Sequence, residues 1–258
     1  MVLINLDVRD VSVSFGELKV LQELSLVLDG PNRIGLVGPN GAGKTTLLNV
    51  LSGFVKTSGG SVSLDGKELT GIDPSQRARL GVVRTFQTPR LMEQETILNN
   101  VLLGASARPR TGYFRELFSI KVSRCWEQEI RLRAQDAAEL LGLTDHLHEL
   151  VRNVPTALRR MVEVARVVMT EPTVFLMDEP AAGLDAVERK ELADALIRVQ
   201  GSLKCLLVVV EHDVSFVRRV CPQTVALVQG RILMSGETST VLDSREVRDA
   251  YFGGKAAT

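Results

Sequence analysis

A run of nine residues near the start of the chain has the composition of a phosphate-binding loop. Residues Gly38 to Thr46 read G-P-N-G-A-G-K-T-T. A glycine-rich turn can aim successive backbone N–H groups into one concavity, where Lys44 adds a positive charge and Thr45 adds a hydroxyl for Mg²⁺. The sequence therefore predicts a site for a nucleoside triphosphate and Mg²⁺. The predicted phosphate-binding residues are Gly38, Pro39, Asn40, Gly41, Ala42, Gly43, Lys44, Thr45 and Thr46.

Two acidic residues follow an apolar run in the second half of the chain. Residues Val174 to Met177 are apolar, and Asp178 and Glu179 come directly after them. Ligands bind at the carboxyl ends of the strands in a parallel sheet, so we predict that Asp178 holds the Mg²⁺. Glu179 lies one residue further on and can polarise the water that attacks the γ-phosphate.

A histidine follows a third apolar run. Residues Cys205 to Val210 lead into Glu211-His212-Asp213, which places an imidazole at the same edge of the predicted sheet. A histidine after a strand is often structural when it stands alone. The combination with the two earlier motifs favours a contact between His212 and the γ-phosphate.

Short apolar runs predict the elements that position these motifs. Ile34 to Val37 precedes the loop as a buried strand, and a helix is predicted from Thr45 to Leu51 because Ser52-Gly53 then ends it. Later apolar runs are separated by helical patterns, which indicates a parallel sheet covered by helices. Those later runs are Val174 to Met177, Cys205 to Val210 and Thr224 to Val228.

Other parts of the chain predict two further layers. Alternation in Leu6 to Ser14, Leu24 to Leu28 and Ser61 to Leu64 predicts antiparallel strands. From about Arg90 to Arg152 the sequence is helix-like and charged, without strand patterns. The predicted fold class is α/β: a P-loop NTPase core with a parallel sheet, an antiparallel β layer and a helical subdomain.

Charge and apolar patterning exclude several classes of protein. The chain has 31 basic and 31 acidic residues, so it has no overall field that would gather nucleic acid. Arginines of the helical segment alternate with acids, as on a solvated helix face, and we predict no nucleic-acid partner. The longest apolar run, Cys205 to Val210, has six residues and is far shorter than the roughly 20 that span a bilayer. The first residues lack the basic region of a signal peptide, so a cytoplasmic location is predicted.

These motifs, in this order, resemble those of the ATPase subunit of ATP-binding cassette (ABC) transporters, over about Val8 to Gly254. The resemblance implies ATP as the nucleotide, Phe15 as the aromatic that stacks on adenine, and His212 as the switch histidine. The family's glutamine loop matches Gln87 in Arg84-Thr85-Phe86-Gln87, so Gln87 is implied as a catalytic and Mg²⁺-binding residue. The family's dimer-contact aspartate matches Asp185 in Ala182-Gly183-Leu184-Asp185.

The same resemblance implies one ABC ATPase domain over residues 1–258. Its nucleotide-binding core with the β layer would take in 1–89 and 153–235, its helical subdomain 90–152, and its C-terminal helix and tail 236–258. A soluble cassette ATPase acting on DNA or ribosomes, or a regulatory subunit that hydrolyses little ATP, would share this core. The single cassette and the balanced charge speak against the first, and the intact Glu179 and His212 against the second.

Within the family, three features most resemble the subunits that power uptake of branched-chain and other hydrophobic amino acids. They are Arg84-Thr85-Phe86-Gln87, Pro180 to Asp185 and the late Ala250-Tyr251-Phe252-Gly253. Related subunits serve urea import or lipopolysaccharide export. The implied partners are two transmembrane permease subunits, a second ATPase subunit and, indirectly, a solute-binding protein. The chain would then lie peripherally on the cytoplasmic face of the cell membrane.

One family motif is degenerate. The signature Leu-Ser-Gly-Gly-Gln, which starts a helix and contacts the partner subunit's γ-phosphate, is here Val154, Pro155, Thr156, Ala157 and Leu158. Pro155 offers neither hydroxyl nor N–H, Ala157 adds a Cβ where backbone should approach closely, and Leu158 lacks the amide. Since each signature acts across the dimer, this predicts a heterodimer with one competent and one weak site. Alternatively, neighbouring backbone N–H groups compensate.

Overall fold

The computed structural model describes residues 4–85, 90–107 and 120–252. These residues form two compact units. The first takes in residues 4–85 and 173–252, and the second takes in 90–107 and 120–172. The second unit therefore includes residues 153–172, which the sequence prediction assigned to the nucleotide-binding core.

The first unit contains two β-sheets. Its strands are β1 (Asn5–Phe15), β2 (Leu18–Asp29), β3 (Arg33–Val37), β4 (Gly59–Leu64), β5 (Lys67–Glu68), β6 (Val82–Arg84), β7 (Val174–Asp178), β8 (Leu206–Val210), β9 (Gln223–Val228) and β10 (Arg231–Glu237). The smaller sheet is antiparallel, with strand order β2-β1-β4-β5. The larger sheet has the order β10-β9-β3-β8-β7-β6, and its strands are parallel from β9 to β6. The predicted α/β fold with a parallel sheet and an antiparallel layer is confirmed.

The larger sheet has two outer strands that the sequence analysis did not predict. Strand β6 has three residues and lies parallel to β7. Strand β10 is antiparallel to β9, and most of its side chains are exposed or half-buried. The apolar runs of the two strands, Val82-Val83 and Ile232 to Met234, have only two and three residues, so hydrophobic periodicity carries little signal for these strands.

The central strands β3, β7 and β8 explain the uninterrupted apolar runs of the sequence. Every residue of β7 and β8 is buried, as expected for parallel strands covered on both faces. The helices of the first unit are α1 (Lys44–Ser52), α2 (Pro74–Arg79), α6 (Ala186–Leu203), α7 (Val214–Val220), α8 (Thr238–Asp243) and α9 (Arg245–Phe252). Between them in the chain, the second unit supplies α3 (Ile97–Leu103), α4 (Ile120–Leu140) and α5 (Thr156–Val168).

The described elements of the second unit are helices, joined by turns and loops, with an isolated bridge between Thr96 and Leu150. Thr96 caps α3, since its hydroxyl accepts a hydrogen bond from the Asn99 N–H. Helix α5 buries one face and packs against α3 and α4. Within the described part of the chain, no helix combines the length and apolarity needed to cross a membrane.

Candidate nucleotide site

The phosphate-binding loop connects β3 to α1 and requires glycine at specific positions. Gly38, Gly41 and Gly43 have φ values of +152°, +79° and +101°, a range that favours glycine. A Cβ on Gly38 would lie 2.1 Å from the Leu227 carbonyl oxygen. Because α1 begins at Lys44, the N–H groups of its first turn point toward the loop, where an anion is favoured.

The ammonium of Lys44 lies inside this loop. Its Nζ donates to the carbonyl oxygens of Gly38 (2.7 Å) and Pro39 (3.0 Å), and the side chain is buried. Burial lowers the pKa of Lys44, while the negative charges of Glu179 and Asp178 oppose that shift. A phosphate in the loop would give this buried cation a charged partner, which forms a stronger hydrogen bond than a neutral carbonyl does.

Asp178 ends strand β7 and forms an ion pair with Arg84 at the end of β6. Arg84 Nη2 donates to Asp178 Oδ2 at 2.8 Å, and the two side chains are 6% and 8% exposed. The Arg84 guanidinium also donates to Asn49 and Ser52 on α1. This network fixes the carboxylate relative to the helix that follows the phosphate-binding loop.

The second oxygen of Asp178 fits a metal ligand. Oδ1 is buried and has no hydrogen-bond partner among the described residues. Burial raises the pKa of Asp178, while Arg84 and the hydroxyl of Thr45 act in the opposite direction. A buried carboxylate oxygen beside a hydroxyl is the kind of hard-oxygen donor set that Mg²⁺ prefers.

Glu179 and His212 lie together at the same edge of the sheet. His212 Nε2 is 3.1 Å from Glu179 Oε1, and both side chains are partly accessible. Glu179 has φ +48°, and its N–H donates to the Val210 carbonyl oxygen at 2.9 Å. A non-glycine residue in this region stores strain that the surrounding structure must hold, as is common at functional sites.

Glu211 is a buried acid whose function the sequence analysis did not identify. Its Oε1 accepts from the Ala181 N–H (2.7 Å), and its Oε2 accepts from the His212 N–H (3.1 Å). Burial raises the pKa of Glu211, and the backbone N–H donors partly offset this. Glu211 thus connects the turn after Asp178 and Glu179 to the turn that carries His212. The sequence does carry a signal for Glu211, because it is an acidic residue directly after a fully apolar run.

Asp185 has a clear local function at the start of α6. Its Oδ1 accepts from the N–H groups of Val187 (2.8 Å) and Glu188 (2.9 Å), and Glu188 Oε2 accepts from the Asp185 N–H (3.0 Å). These bonds form a capping box. The contact of Asp185 across a dimer stays a prediction.

The remaining predicted residues fall in different places. Phe15 ends β1 and is 55% exposed, so its ring is available for stacking. Gln87 lies outside the described residues. The described residues that were predicted to bind phosphate or Mg²⁺ or to act in catalysis all belong to the first unit. Lys44 and Thr45 begin α1, which follows β3 through the phosphate-binding loop. Asp178 ends β7, and Glu179 and His212 follow β7 and β8 within two residues.

The degenerate signature forms the start of α5 in the second unit. Val154 is buried, Pro155 occupies the N-cap position without a side-chain hydrogen bond, and Thr156 is the first helical residue. Ala157 and Leu158 are half-buried in the first turn. A usual N-cap side chain would accept a hydrogen bond here, and proline cannot.

A family model described as "ABC transporter" matches residues 21–182, which is more than half of the chain. The chain is 34% identical over 248 residues to the high-affinity branched-chain amino acid transport ATP-binding protein LivG of Escherichia coli (strain K12). That match covers 96% of this chain and 97% of LivG. The chain is also 32% identical to the corresponding protein BraF of Pseudomonas aeruginosa, with the same coverage of both chains.

The chain is also similar to solved structures of ATP-binding cassettes from ABC transporters. The ADP conformation of MJ1267, an ATP-binding cassette of an ABC transporter, matches with a TM-score of 0.82 and 29% sequence identity. This match covers 98% of the present chain and 100% of the MJ1267 chain. A nucleotide-free ATP-binding cassette from an ABC transporter matches with a TM-score of 0.78 at 26% identity, covering 97% of this chain and 99% of the other.

Proposed function

The chain belongs to the ABC transporter family as an ATP-binding, ATP-hydrolysing subunit, and from this premise we propose that it energises the import of branched-chain or other hydrophobic amino acids. The observation that carries this proposal is the similarity to LivG, which extends over nearly the whole of both chains. The geometry at the edge of the larger sheet supports the chemistry that such a subunit performs.

Each polar group of the site has a task in this proposal. The loop N–H groups and Lys44 bind the phosphates, and Phe15 stacks on the adenine. Thr45 and Asp178 would hold Mg²⁺, with Gln87 as a further ligand, and the bound ion would neutralise charge on the phosphate oxygens. Glu179 orients and polarises the attacking water as general base. His212 Nε2 lies 3.1 Å from Glu179 Oε1 and would position that carboxylate, and in this proposal His212 also contacts the γ-phosphate.

The transport step follows from a change in the populations of the open and closed dimer. Two ATPase subunits close on two ATP molecules, and the contacts made only in the closed dimer favour that state. Loss of the γ-phosphate removes those contacts, and the dimer reopens. In this proposal the dimer binds two transmembrane permease subunits and lies on the cytoplasmic face of the membrane, and a solute-binding protein delivers the amino acid.

The second ATPase of the proposed dimer is a different chain. The start of α5 has a proline at its N-cap, so that position offers no hydroxyl to the partner's γ-phosphate. The competent site would be formed by the phosphate-binding loop of this chain and the complete signature of its partner. The weak site would be formed by the partner's loop and residues Val154 to Leu158.

Purification of the assembled complex tests this proposal. We would tag this chain, solubilise membranes gently and identify the co-purifying proteins by mass spectrometry. Two permeases and a different ATPase are expected, and the reconstituted complex should take up radiolabelled leucine when ATP is supplied. Isolation with ribosomes or DNA, or uptake of urea but not of leucine, would refute the proposal. Recovery of this chain as the sole ATPase would refute the proposed heterodimer but not the proposed transport function.

A further inference from the structure

The last described helix reaches the phosphate-binding loop. The N–H of Gly38, the first residue of the loop, donates to the phenolic oxygen of Tyr251 on α9 at 2.6 Å. The two residues are 213 positions apart in the chain. Tyr251 is half-buried, and burial raises its pKa, so the side chain is a neutral phenol near neutral pH.

Helix α9 is itself held against the first unit. Val247 is buried, and α9 packs against α8 and β10. Arg248 on α9 and Arg218 on α7 both donate to Asp243 Oδ1 at 2.8 Å. The phenol of Tyr251 is therefore presented to the loop from a fixed position and not from a free end of the chain.

The peptide groups of Gly38 are held on both sides. Tyr251 accepts from its N–H, and Lys44 Nζ donates to its carbonyl oxygen. In phosphate-binding loops of this type the lysine reaches the β- and γ-phosphates. The ammonium of Lys44 has three N–H donors, and the carbonyl oxygens of Gly38 and Pro39 accept from two of them, so one donor remains for a phosphate. The hydrogen bond from Gly38 to Tyr251 uses a different group of Gly38, its N–H, and fixes the start of the loop.

We propose that Tyr251 is a positioning residue for ATP binding: its hydroxyl anchors Gly38 and keeps the loop N–H groups in the arrangement that receives phosphate. In this proposal Tyr251 acts through the loop backbone, by the hydrogen bond from the Gly38 N–H. A preorganised loop loses less conformational freedom when ATP binds, so the anchor raises affinity. The inference concerns nucleotide binding alone and is independent of the transported solute and of the second ATPase.

The variant Tyr251→Phe tests this in the purified full chain, because it removes only the hydroxyl and keeps the ring. A fluorescent ATP analogue with Mg²⁺ should bind about two- to tenfold more weakly, which is the range expected for one ordinary hydrogen bond. The matched control is Arg245→Ala on the same helix, which removes an exposed ion pair with Asp249 and should leave the affinity unchanged.

Amide hydrogen exchange separates positioning from a merely structural role. In Tyr251→Phe, the peptide that contains Gly38 should exchange faster, whereas peptides from α9 should exchange as in the wild type. In the assembled ATPase, KM for ATP should rise and kcat should stay the same. Unchanged affinity and unchanged exchange at Gly38 would overturn the proposal. Equally fast exchange throughout α9 would also overturn it, because the hydroxyl would then serve only to hold the helix.

Discussion

Arg84 Nη2 lies 2.8 Å from Asp178 Oδ2, and both side chains are almost completely buried. The pair connects two adjacent parallel strands, β6 and β7, at the edge where the nucleotide site is formed. Oδ1 of Asp178 is buried without a hydrogen-bond partner among the described residues, so it is the oxygen that we expect to bind Mg²⁺. A buried charge that loses its partner destabilises the folded state, so the fold and the site should both depend strongly on this pair.

We expect Arg84→Met to destabilise the first unit strongly. Removal of the guanidinium leaves the Asp178 carboxylate buried without its counter-ion, which typically costs about 3–5 kcal/mol. Urea denaturation of the purified chain measures this loss. The matched control is Arg219→Met, because the ion pair of Arg219 with Asp194 is exposed, at 43% and 38%, and should contribute only about 0–1 kcal/mol.

A second substitution checks the physical cause. In Arg84→Met with Asp178→Asn, the buried charge is absent, so part of the stability lost in the single variant should return. Equal loss in Arg84→Met and Arg219→Met would contradict the assignment of a buried, unscreened ion pair.

The residues predicted for the site could be named from sequence because their motifs are local. The spacing of G-x-x-x-x-G-K-T fixes a loop within nine residues, and an apolar run followed by acids fixes the carboxyl end of a buried strand. The same locality made the central strands easy to predict. The edge strand β10 gives a weaker signal, since its only apolar run is Ile232 to Met234 and all its side chains are exposed or half-buried.

Contacts between distant residues were beyond this reasoning. Arg84 was noted only as part of a family-like motif, and nothing in its neighbourhood in the chain names Asp178 as its partner, 94 positions away. The bond from Gly38 to Tyr251 depends on where α9 packs, and the bonds of Glu211 depend on how two turns meet. Such pairings follow from tertiary packing, which a single sequence does not encode in any local period.

The raised pKa values of two buried thiols predict how the stability of the fold changes at high pH. Burial raises the pKa of Cys205 to about 11 and that of Cys221 to about 12, from 9.0. The folded state therefore keeps these protons at a pH where the unfolded chain releases them. Since the unfolded state then binds fewer protons, the free energy of unfolding falls as pH rises above 9.0.

For Cys205 this dependence acts between pH 9.0 and about 11. The wild type should lose up to about 1.4 kcal/mol per pH unit more than Cys205→Ala in that window. Urea denaturation of both proteins from pH 8 to pH 10.5 measures the difference in slope. Parallel curves for the two proteins would show that Cys205 ionises equally in the folded and unfolded states.

Glu179→Gln should stop most ATP hydrolysis and spare ATP binding. The amide cannot accept a proton from the attacking water, and general-base catalysis typically contributes 10²- to 10⁴-fold. Steady-state phosphate release by the assembled complex should fall by at least about 100-fold, while binding of a fluorescent ATP analogue changes little. The control Glu191→Gln alters an exposed acid on α6 and should hydrolyse ATP at the wild-type rate. Unchanged hydrolysis in Glu179→Gln would refute the assignment of Glu179 as the base of the competent site.

The degenerate signature can be repaired by two substitutions at the start of α5. Pro155→Ser supplies a hydroxyl at the N-cap, which should stabilise the helix by about 1 kcal/mol, and Ala157→Gly removes a Cβ at the cost of about 1 kcal/mol in helix propensity. The stability of the isolated chain should therefore stay nearly constant, so that changes in activity are not caused by unfolding.

The informative background for this repair is Glu179→Gln in the proposed heterodimer. There the competent site is silent, and residual hydrolysis arises at the partner's loop, which faces residues Val154 to Leu158. The repaired signature offers the γ-phosphate a hydroxyl and a close backbone approach at a helix N-terminus. One charge-assisted hydrogen bond is worth about 1.5–3 kcal/mol, so residual phosphate release should rise at least several-fold. The single variant Arg152→Ala, at an exposed position before α5, serves as the control and should leave the residual rate unchanged. If the repaired complex is no faster than its parent, the groups lost at positions 155 and 157 do not limit hydrolysis at the partner's loop, as expected if neighbouring backbone N–H groups compensate for them.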